Sequence, residues 1–257
     1  MLGVAMHRRR ALGLFAGFAL CPLCASAAVA ETAHSHWSYE GATGPDKWGS
    51  LDAANGVCST GTQESPLDIV RTIRAQLPAL GIAWTTPPST IVNNGHTIQL
   101  DCAAGNTLTS GDRRYRLLQF HFHHPSEHLV AGKGFAMEAH FVHGGEEGGI
   151  AVVGVFIAAG RANPVFSKIV STMPEAEEPP APADRAIDPR GLLPAKRSYY
   201  RYEGSLTTPP CTESVDWLLF VDPIEVAAAD IARFAKLYPM NARPVQNRSR
   251  RFILRSI

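Results

Sequence analysis

The chain has 257 residues, 45% of them apolar and 18% charged, and a formal net charge of +1 at pH 7. That is the composition of a globular chain able to bury a sizeable core, not of a disordered or fibrous one. Near-neutrality gives no electrostatic case for nucleic acid or an anionic membrane surface as a partner.

Arg8, Arg9 and Arg10 precede an apolar stretch from Ala11 to about Leu23, and Ala28 and Ala30 fit a small-residue cleavage site. Residues 1–30 therefore read as a removable signal peptide, with 31–257 as the mature domain. The apolar run is shorter than the roughly 20 residues a spanning helix needs, so no membrane span is expected after removal. The general secretory route is preferred over the twin-arginine route that the paired arginines weakly suggest. Without those three arginines, 21 basic residues face 23 acidic ones. The expected location is periplasmic or secreted. Of the cysteines, Cys21 and Cys24 fall in the signal, leaving Cys58, Cys102 and Cys211. In an oxidising compartment, three thiols predict one pair and one left over.

Residues 36–68, rich in Gly, Pro, Asp, Asn and Trp, lack periodicity and read as an irregular segment. The middle of the chain predicts strands. Thr90 to Leu100 carries apolar and β-branched residues, broken by the turn signal Asn93-Asn94-Gly95. Tyr115 to His123 alternates: Leu118, Phe120 and Phe122 share one face, and Leu117, Gln119, His121 and His123 the other. Phe135 to His143 alternates again. Ile150 to Ala158 is a continuous apolar run, which suits a strand covered on both faces. Residues 174–189, rich in Pro, Glu and Ala, predict a surface connection. The spacing of Val226, Ile231 and Phe234 predicts one helix over Val226–Leu237.

The chemistry concentrates in Gln119-Phe120-His121-Phe122-His123. On a strand, His121 and His123 project from one face about 7 Å apart and can share a metal. A third ligand must come from a neighbouring strand, and His140 in Met137-Glu138-Ala139-His140 supplies it if the two segments pair antiparallel. Three imidazoles and one open position make a catalytic zinc site. Gln119 and Glu138 each sit two residues before a candidate ligand, on its face, placed to accept the other ring N–H. A lone H-x-H is a weak signal, because a single histidine is more often structural than ligating. Parity demotes His124 and His143, which fall on the opposite strand faces.

These residues belong to a longer pattern. It runs through His36-Trp37-Ser38-Tyr39, Ser65-Pro66-Leu67-Asp68, Asn93-Asn94-Gly95-His96, Pro125-Ser126-Glu127-His128, Gly204-Ser205-Leu206-Thr207-Thr208-Pro209-Pro210-Cys211 and Asn241-Ala242-Arg243-Pro244. With these motifs in this order, the chain resembles an alpha-class carbonic anhydrase of the exported bacterial kind, over nearly all of its mature length.

The resemblance implies a β-rich α+β fold: a single domain with a central twisted, mostly antiparallel sheet of about ten strands and short peripheral helices. It implies reversible hydration of carbon dioxide to bicarbonate and a proton, by attack of zinc-bound hydroxide. His121, His123 and His140 match the Zn2+ ligands. Thr207 matches a gatekeeper whose hydroxyl donates to Glu127, and Thr208 lines the bicarbonate site. His96 matches the proton shuttle, with Tyr39, Asn94 and Gln99 along the water chain. Val142, Ile150, Val152, Leu206 and Trp217 match the apolar wall for carbon dioxide. Cys58 and Cys211 match the disulfide of bacterial members, which leaves Cys102 as the odd thiol, inert or linking subunits. Such members are often dimers, so the resemblance raises a homodimer as an expectation.

Two positions depart from the pattern. Glu64 stands where the family usually has glutamine, which bears on local stability more than on the ligands. Ala242 replaces a tryptophan of some members. Rival readings are a non-catalytic binding module on the same scaffold and a zinc-storage protein. The intact histidines, Glu127 and Thr207 weigh against the first, and the gatekeeper and shuttle motifs against the second.

Overall fold

The computed structural model describes residues 36–146 and 148–257, so the signal-peptide reading of residues 1–30 lies outside the described residues. No described helix is long and apolar enough to cross a membrane.

The segment from His36 is irregular, as its composition predicts, and carries two single-turn helices, α1 (Trp48–Leu51) and α2 (Val57–Thr60). Trp48 and the disulfide between Cys58 and Cys211 form a small core of their own, with Trp37, Tyr39 and Leu51 packed against it.

The strands follow in chain order. The first six are β1 (Asp68–Ile69), β2 (Ile73–Ala75), β3 (Leu80–Ala83), β4 (Thr90–Asn93), β5 (Ile98–Asp101) and β6 (Thr107–Ser110). Then come β7 (Arg113–His123), β8 (Leu129–Val130), β9 (Met137–Gly145) and β10 (Ile150–Ala159). After α3 (Pro164–Thr172) stand β11 (Ala181–Pro182), β12 (Tyr199–Ser205), β13 (Glu213–Phe220) and β14 (Ile224–Val226). The helix α4 (Ala228–Leu237) and β15 (Leu254–Ser256) close the chain.

Among the described residues, thirteen strands form one sheet, while β1 and β8 pair separately. The sheet is mixed and mostly antiparallel. Only β10 with β13 and β14, and β15 with β2, run parallel. The long apolar run of β10 lies between β9 and β13, where both faces are covered. On one face Phe120, Phe122, Phe141, Val153 and Val155 pack with Phe166 and Ile169 of α3 and Ile231 and Phe234 of α4. On the other, Val152, Trp217 and Leu219 form a second cluster with Leu67, Tyr200 and Tyr202. Each such large side chain contributes roughly 1.5–3 kcal/mol through burial.

Four local expectations need correction. A bulge between Leu117 and Gln119 shifts the register of β7, so Leu117 joins Phe120 and Phe122 in the first core instead of sharing the histidine face. One extra residue reverses the parity upstream of it. Val226 belongs to β14, and α4 starts at Ala228. The helix α3 was not anticipated: Asn163 caps it by accepting from the N–H groups of Val165 and Phe166, with Pro164 at its first position. The 174–189 connection is more than surface, for β11 pairs with β4 and Ile187 is buried.

Candidate metal centre

The antiparallel pairing of β7 and β9 sets His121 directly opposite His140 and His123 opposite Glu138. Ring centroids lie 5.0 Å apart for His121 and His123, 5.4 Å for His121 and His140, and 4.5 Å for His123 and His140. One ligand nitrogen from each of the three lies within 4.8 Å of the others, a grouping that could hold a metal ion. His123 and His140 are buried and His121 is half-buried.

Each ring is fixed through its other nitrogen. His121 Nδ1 is 2.8 Å from Gln119 Oε1, His140 Nε2 is 2.8 Å from Glu138 Oε1, and His123 Nδ1 is 2.7 Å from the carbonyl of Asn241. In each case the ring N–H donates, which leaves the opposite nitrogen as a lone-pair donor. His123 Nε2 is buried and has no hydrogen-bond partner, a costly state unless something occupies its lone pair. Burial, then the neighbouring His123 and His140, push His121 well below the ordinary histidine value. Burial also lowers His123, partly offset by Glu127. Neutral imidazoles in a closed cluster suit a divalent metal, so these residues fit one.

Behind the cluster runs a relay that the spacing argument did not assign. Glu138 Oε1 also accepts from His128 Nδ1 at 2.7 Å, and its Oε2 accepts from the His128 backbone N–H at 2.9 Å. His128 Nε2 lies 2.6 Å from the Tyr202 hydroxyl, which lies 2.9 Å from Ser65 Oγ. Burial would raise Glu138, but His128 and His140 outweigh it and hold the carboxylate well below its usual range. Ligand atoms of His128, Glu138 and His140 also fall within 4.8 Å of one another, but there both rings already donate to the Glu138 carboxylate.

The apolar wall shares the histidine face. Val152 and Trp217 are buried, with Val142, Ile150 and Leu206 packed beside them, and the Trp217 ring is 4.9 Å from that of His140. Glu127 sits between ligand and loop: Oε1 accepts from the Arg243 N–H at 2.8 Å and lies 3.5 Å from His123 Nδ1. Its buried Oε2 accepts no hydrogen bond and lies 3.8 Å from His140 Nδ1, so the hydrogen bond expected from Thr207 is not made, although Thr207 is itself buried. The Thr208 carbonyl accepts from the Cys211 N–H at 2.9 Å, so the disulfide fastens directly onto this turn. The bond spans 153 residues of sequence, for which loop entropy allows about 4–5 kcal/mol. Cys102 is a free, half-buried thiol, and burial pushes it up to about 12.

His96 lies apart, on the turn between β4 and β5. Asn94 Oδ1 accepts from the N–H groups of His96 and Thr97 at 3.0 and 2.9 Å. The His96 ring stacks on Trp37 at 3.6 Å, nearly parallel. Burial and then His36 lower its pKa, while Glu177 raises it. Asn241 joins this turn to the metal centre: its Nδ2 donates to the His96 carbonyl at 2.9 Å while its own carbonyl holds His123. Gln99 stands opposite His121 and donates to Asp101 at 2.7 Å. Burial, then Glu127, pushes the Tyr39 phenol well above its ordinary value.

The departure at Glu64 has a physical partner. Glu64 Oε2 is 2.6 Å from Arg243 Nη1, which also donates to the Ser65 carbonyl, and Arg243 Nη2 donates to the Cys58 carbonyl at 3.0 Å. Burial raises Glu64, and the hydrogen bond and charge of Arg243 oppose that.

Residues 43–256 match the family described as eukaryotic-type carbonic anhydrase. A carbonic anhydrase of Klebsiella pneumoniae is 40% identical over 223 residues, covering 86% of this chain and 91% of that protein. One from Neisseria gonorrhoeae is 40% identical over 232 residues, covering 90% and 92%. The solved alpha-carbonic anhydrase of Thermovibrio ammonificans, in complex with the inhibitor sulfanilamide, superposes with a TM-score of 0.83 at 40% identity. That match covers 86% of this chain and 99% of the other. Histidine cluster, sheet and sequence therefore agree, and the chain belongs to the eukaryotic-type, or alpha, carbonic anhydrase family and is a carbonate dehydratase.

Proposed function

We propose that His121, His123 and His140 hold zinc and that the site hydrates carbon dioxide reversibly to bicarbonate and a proton. The observation that carries this is the buried imidazole cluster, with His123 Nε2 unpartnered, beside an apolar wall. When bound, zinc lowers the pKa of a coordinated water, to about 7 in carbonic anhydrases, where this value is established.

The chain's own residues do the rest. Gln119, Glu138 and the Asn241 carbonyl hold the three rings and fix their tautomers. Glu138 is locked in turn by His128 and Tyr202. Val142, Ile150, Val152, Leu206 and Trp217 offer carbon dioxide, which is apolar, a surface that water does not compete for. The free Oε2 of Glu127 is the acceptor available to the Thr207 hydroxyl. Once Thr207 donates there, its oxygen can only accept from the nucleophile, which aims the attack. Thr208 lines the bicarbonate side.

The proton leaves through His96, with Tyr39, Asn94 and Gln99 along the path. Turnover of order 10⁶ s⁻¹, known for carbonic anhydrases, exceeds the roughly 10³ s⁻¹ at which an acid of pKa near 7 yields its proton to water. A histidine at the rim closes that gap. Residues 1–30 are a signal peptide for periplasmic or secreted delivery, which the disulfide supports.

Stopped-flow hydration of carbon dioxide tests the whole reading. Fast hydration should vanish with a chelator and return with added zinc. A folded protein carrying one zinc per chain and showing no hydration would defeat it and favour the binding-module alternative.

A further inference from the structure

The stretch Met173-Pro174-Glu175-Ala176-Glu177-Glu178 carries three carboxylates and no helical or strand period. It is nonetheless seated on the fold. Met173 is buried, and the Pro174 carbonyl accepts from Asn93 Nδ2 at 3.2 Å. Asn93 Oδ1 accepts from the Gly95 N–H at 3.1 Å and from the Tyr238 hydroxyl. One asparagine thus ties the acidic stretch to the turn that bears His96.

Glu177 completes the contact. Gly95 has φ +83°, and a Cβ there would lie 2.8 Å from the carboxyl carbon of Glu177 and 2.8 and 3.1 Å from its oxygens. The carboxylate therefore covers the glycine, one residue from His96. On the other side the His96 ring stacks on Trp37 at 3.6 Å, with the His36 ring edge-on at 6.0 Å. The titratable groups facing the turn are thus His36 from the N-terminal segment, Glu177, and Tyr238 from beyond α4. Burial, then Glu177, pushes the Tyr238 phenol up, so it stays neutral.

We propose that Glu177 is a positioning residue for proton transfer: its carboxylate, seated over Gly95, holds the His96 turn and favours the imidazolium form against His36. This rests on the shuttle reading of His96. In each cycle the imidazole nitrogen gains a proton from the water chain and the imidazolium gives it to external buffer. Burial and His36 depress His96, and Glu177 works against both. A shuttle is fastest when its pKa matches its donor's, so losing this charge slows the transfer.

The test is NMR titration of the His96 ring in the full chain loaded with zinc, assigned by His96→Ala. Glu177→Gln should lower the His96 midpoint by about half a pH unit at low salt, and less at high salt. Glu178→Gln removes the same charge from the same stretch and should leave the midpoint in place. In Glu177→Gln, kcat in dilute buffer should fall a few-fold while kcat/KM, which precedes proton release, holds. A purely structural role would lower both. An unmoved His96 midpoint in Glu177→Gln, or an equal shift in Glu178→Gln, overturns the proposal. The shuttle reading fails separately, if His96→Ala keeps full kcat in dilute buffer, and the proposal then falls with it even where the midpoint moves.

Discussion

The metal centre and the rim turn both present histidines, yet they are built in opposite ways. At the centre, three rings stand on two paired strands, and each is hydrogen-bonded through its outer nitrogen. At the rim, His96 stands on a turn, held by backbone bonds to Asn94 and Asn241, while its ring is held by stacking on Trp37. Burial lowers the pKa of both His121 and His96; at the centre the neighbouring histidines lower His121 further against the pull of Glu138, while at the rim Glu177 opposes burial and His36. Under the proposed function a ligand must never take the proton, and a shuttle must take it and lose it in every cycle. Strand register suits the first task and a stacked ring on a turn suits the second.

The comparison breaks most completely if a ligand goes. His123→Ala should abolish stoichiometric zinc by elemental analysis and reduce hydration to background, with kcat/KM and kcat lost together. Glu138→Gln is milder and reaches the same site through His140. Loss of such a buried partner should weaken zinc binding about 10–100-fold, measured by competition with a chelating dye. His96→Ala should leave zinc binding and kcat/KM intact and lower kcat about tenfold or more in dilute buffer. Added imidazole should restore kcat. An equal fall in kcat/KM would show that the rim and the centre are not separable.

The two regions also differ in what the sequence discloses. The histidine cluster was legible because period-two alternation carries His121, His123, Gln119, His140 and Glu138 onto one surface. The segments that bear them are neighbours in the chain. That logic reached only as far as the bulge at Leu117–Gln119, where one inserted residue, unmarked by Gly or Pro, reverses the faces. What holds the outer ends of the site was not legible. His123 is fixed by the backbone carbonyl of Asn241 and Glu127 by the backbone N–H of Arg243, and backbone groups carry no residue-type signal. His128 could have been found, since the second oxygen of a buried Glu138 needs a donor of its own. The cap at Asn163-Pro164 likewise announced α3 in a stretch where hydrophobic period alone was too short to show it. Glu64 bears on local stability, and its partner Arg243 lies too far along the chain for any spacing rule to join them.

His143 sharpens the comparison with the smallest effect, because it is a buried histidine with no expected role. It lies on the opposite face of β9 from His140, in the first core beside Trp84, with ring centroids 5.6 Å apart. Burial takes its pKa down to about 4, from an ordinary value of about 6.5. The folded value is thus below the unfolded one. The neutral ring is accommodated without loss above pH 6.5, and stability falls as pH drops from there toward 4, because the unfolded chain takes the proton first. The loss by pH 4 should be on the order of 2–3 kcal/mol. His143→Gln should flatten the stability curve in that window relative to the parent, read by urea unfolding at pH 7, 6 and 5 with the metal-site residues unchanged. Subtracting the two curves isolates the cost of burial alone. If the difference is flat, burial in this sheet does not depress a histidine by itself. The low value at His121 would then rest on the like-charged neighbours of the cluster, which His143 lacks.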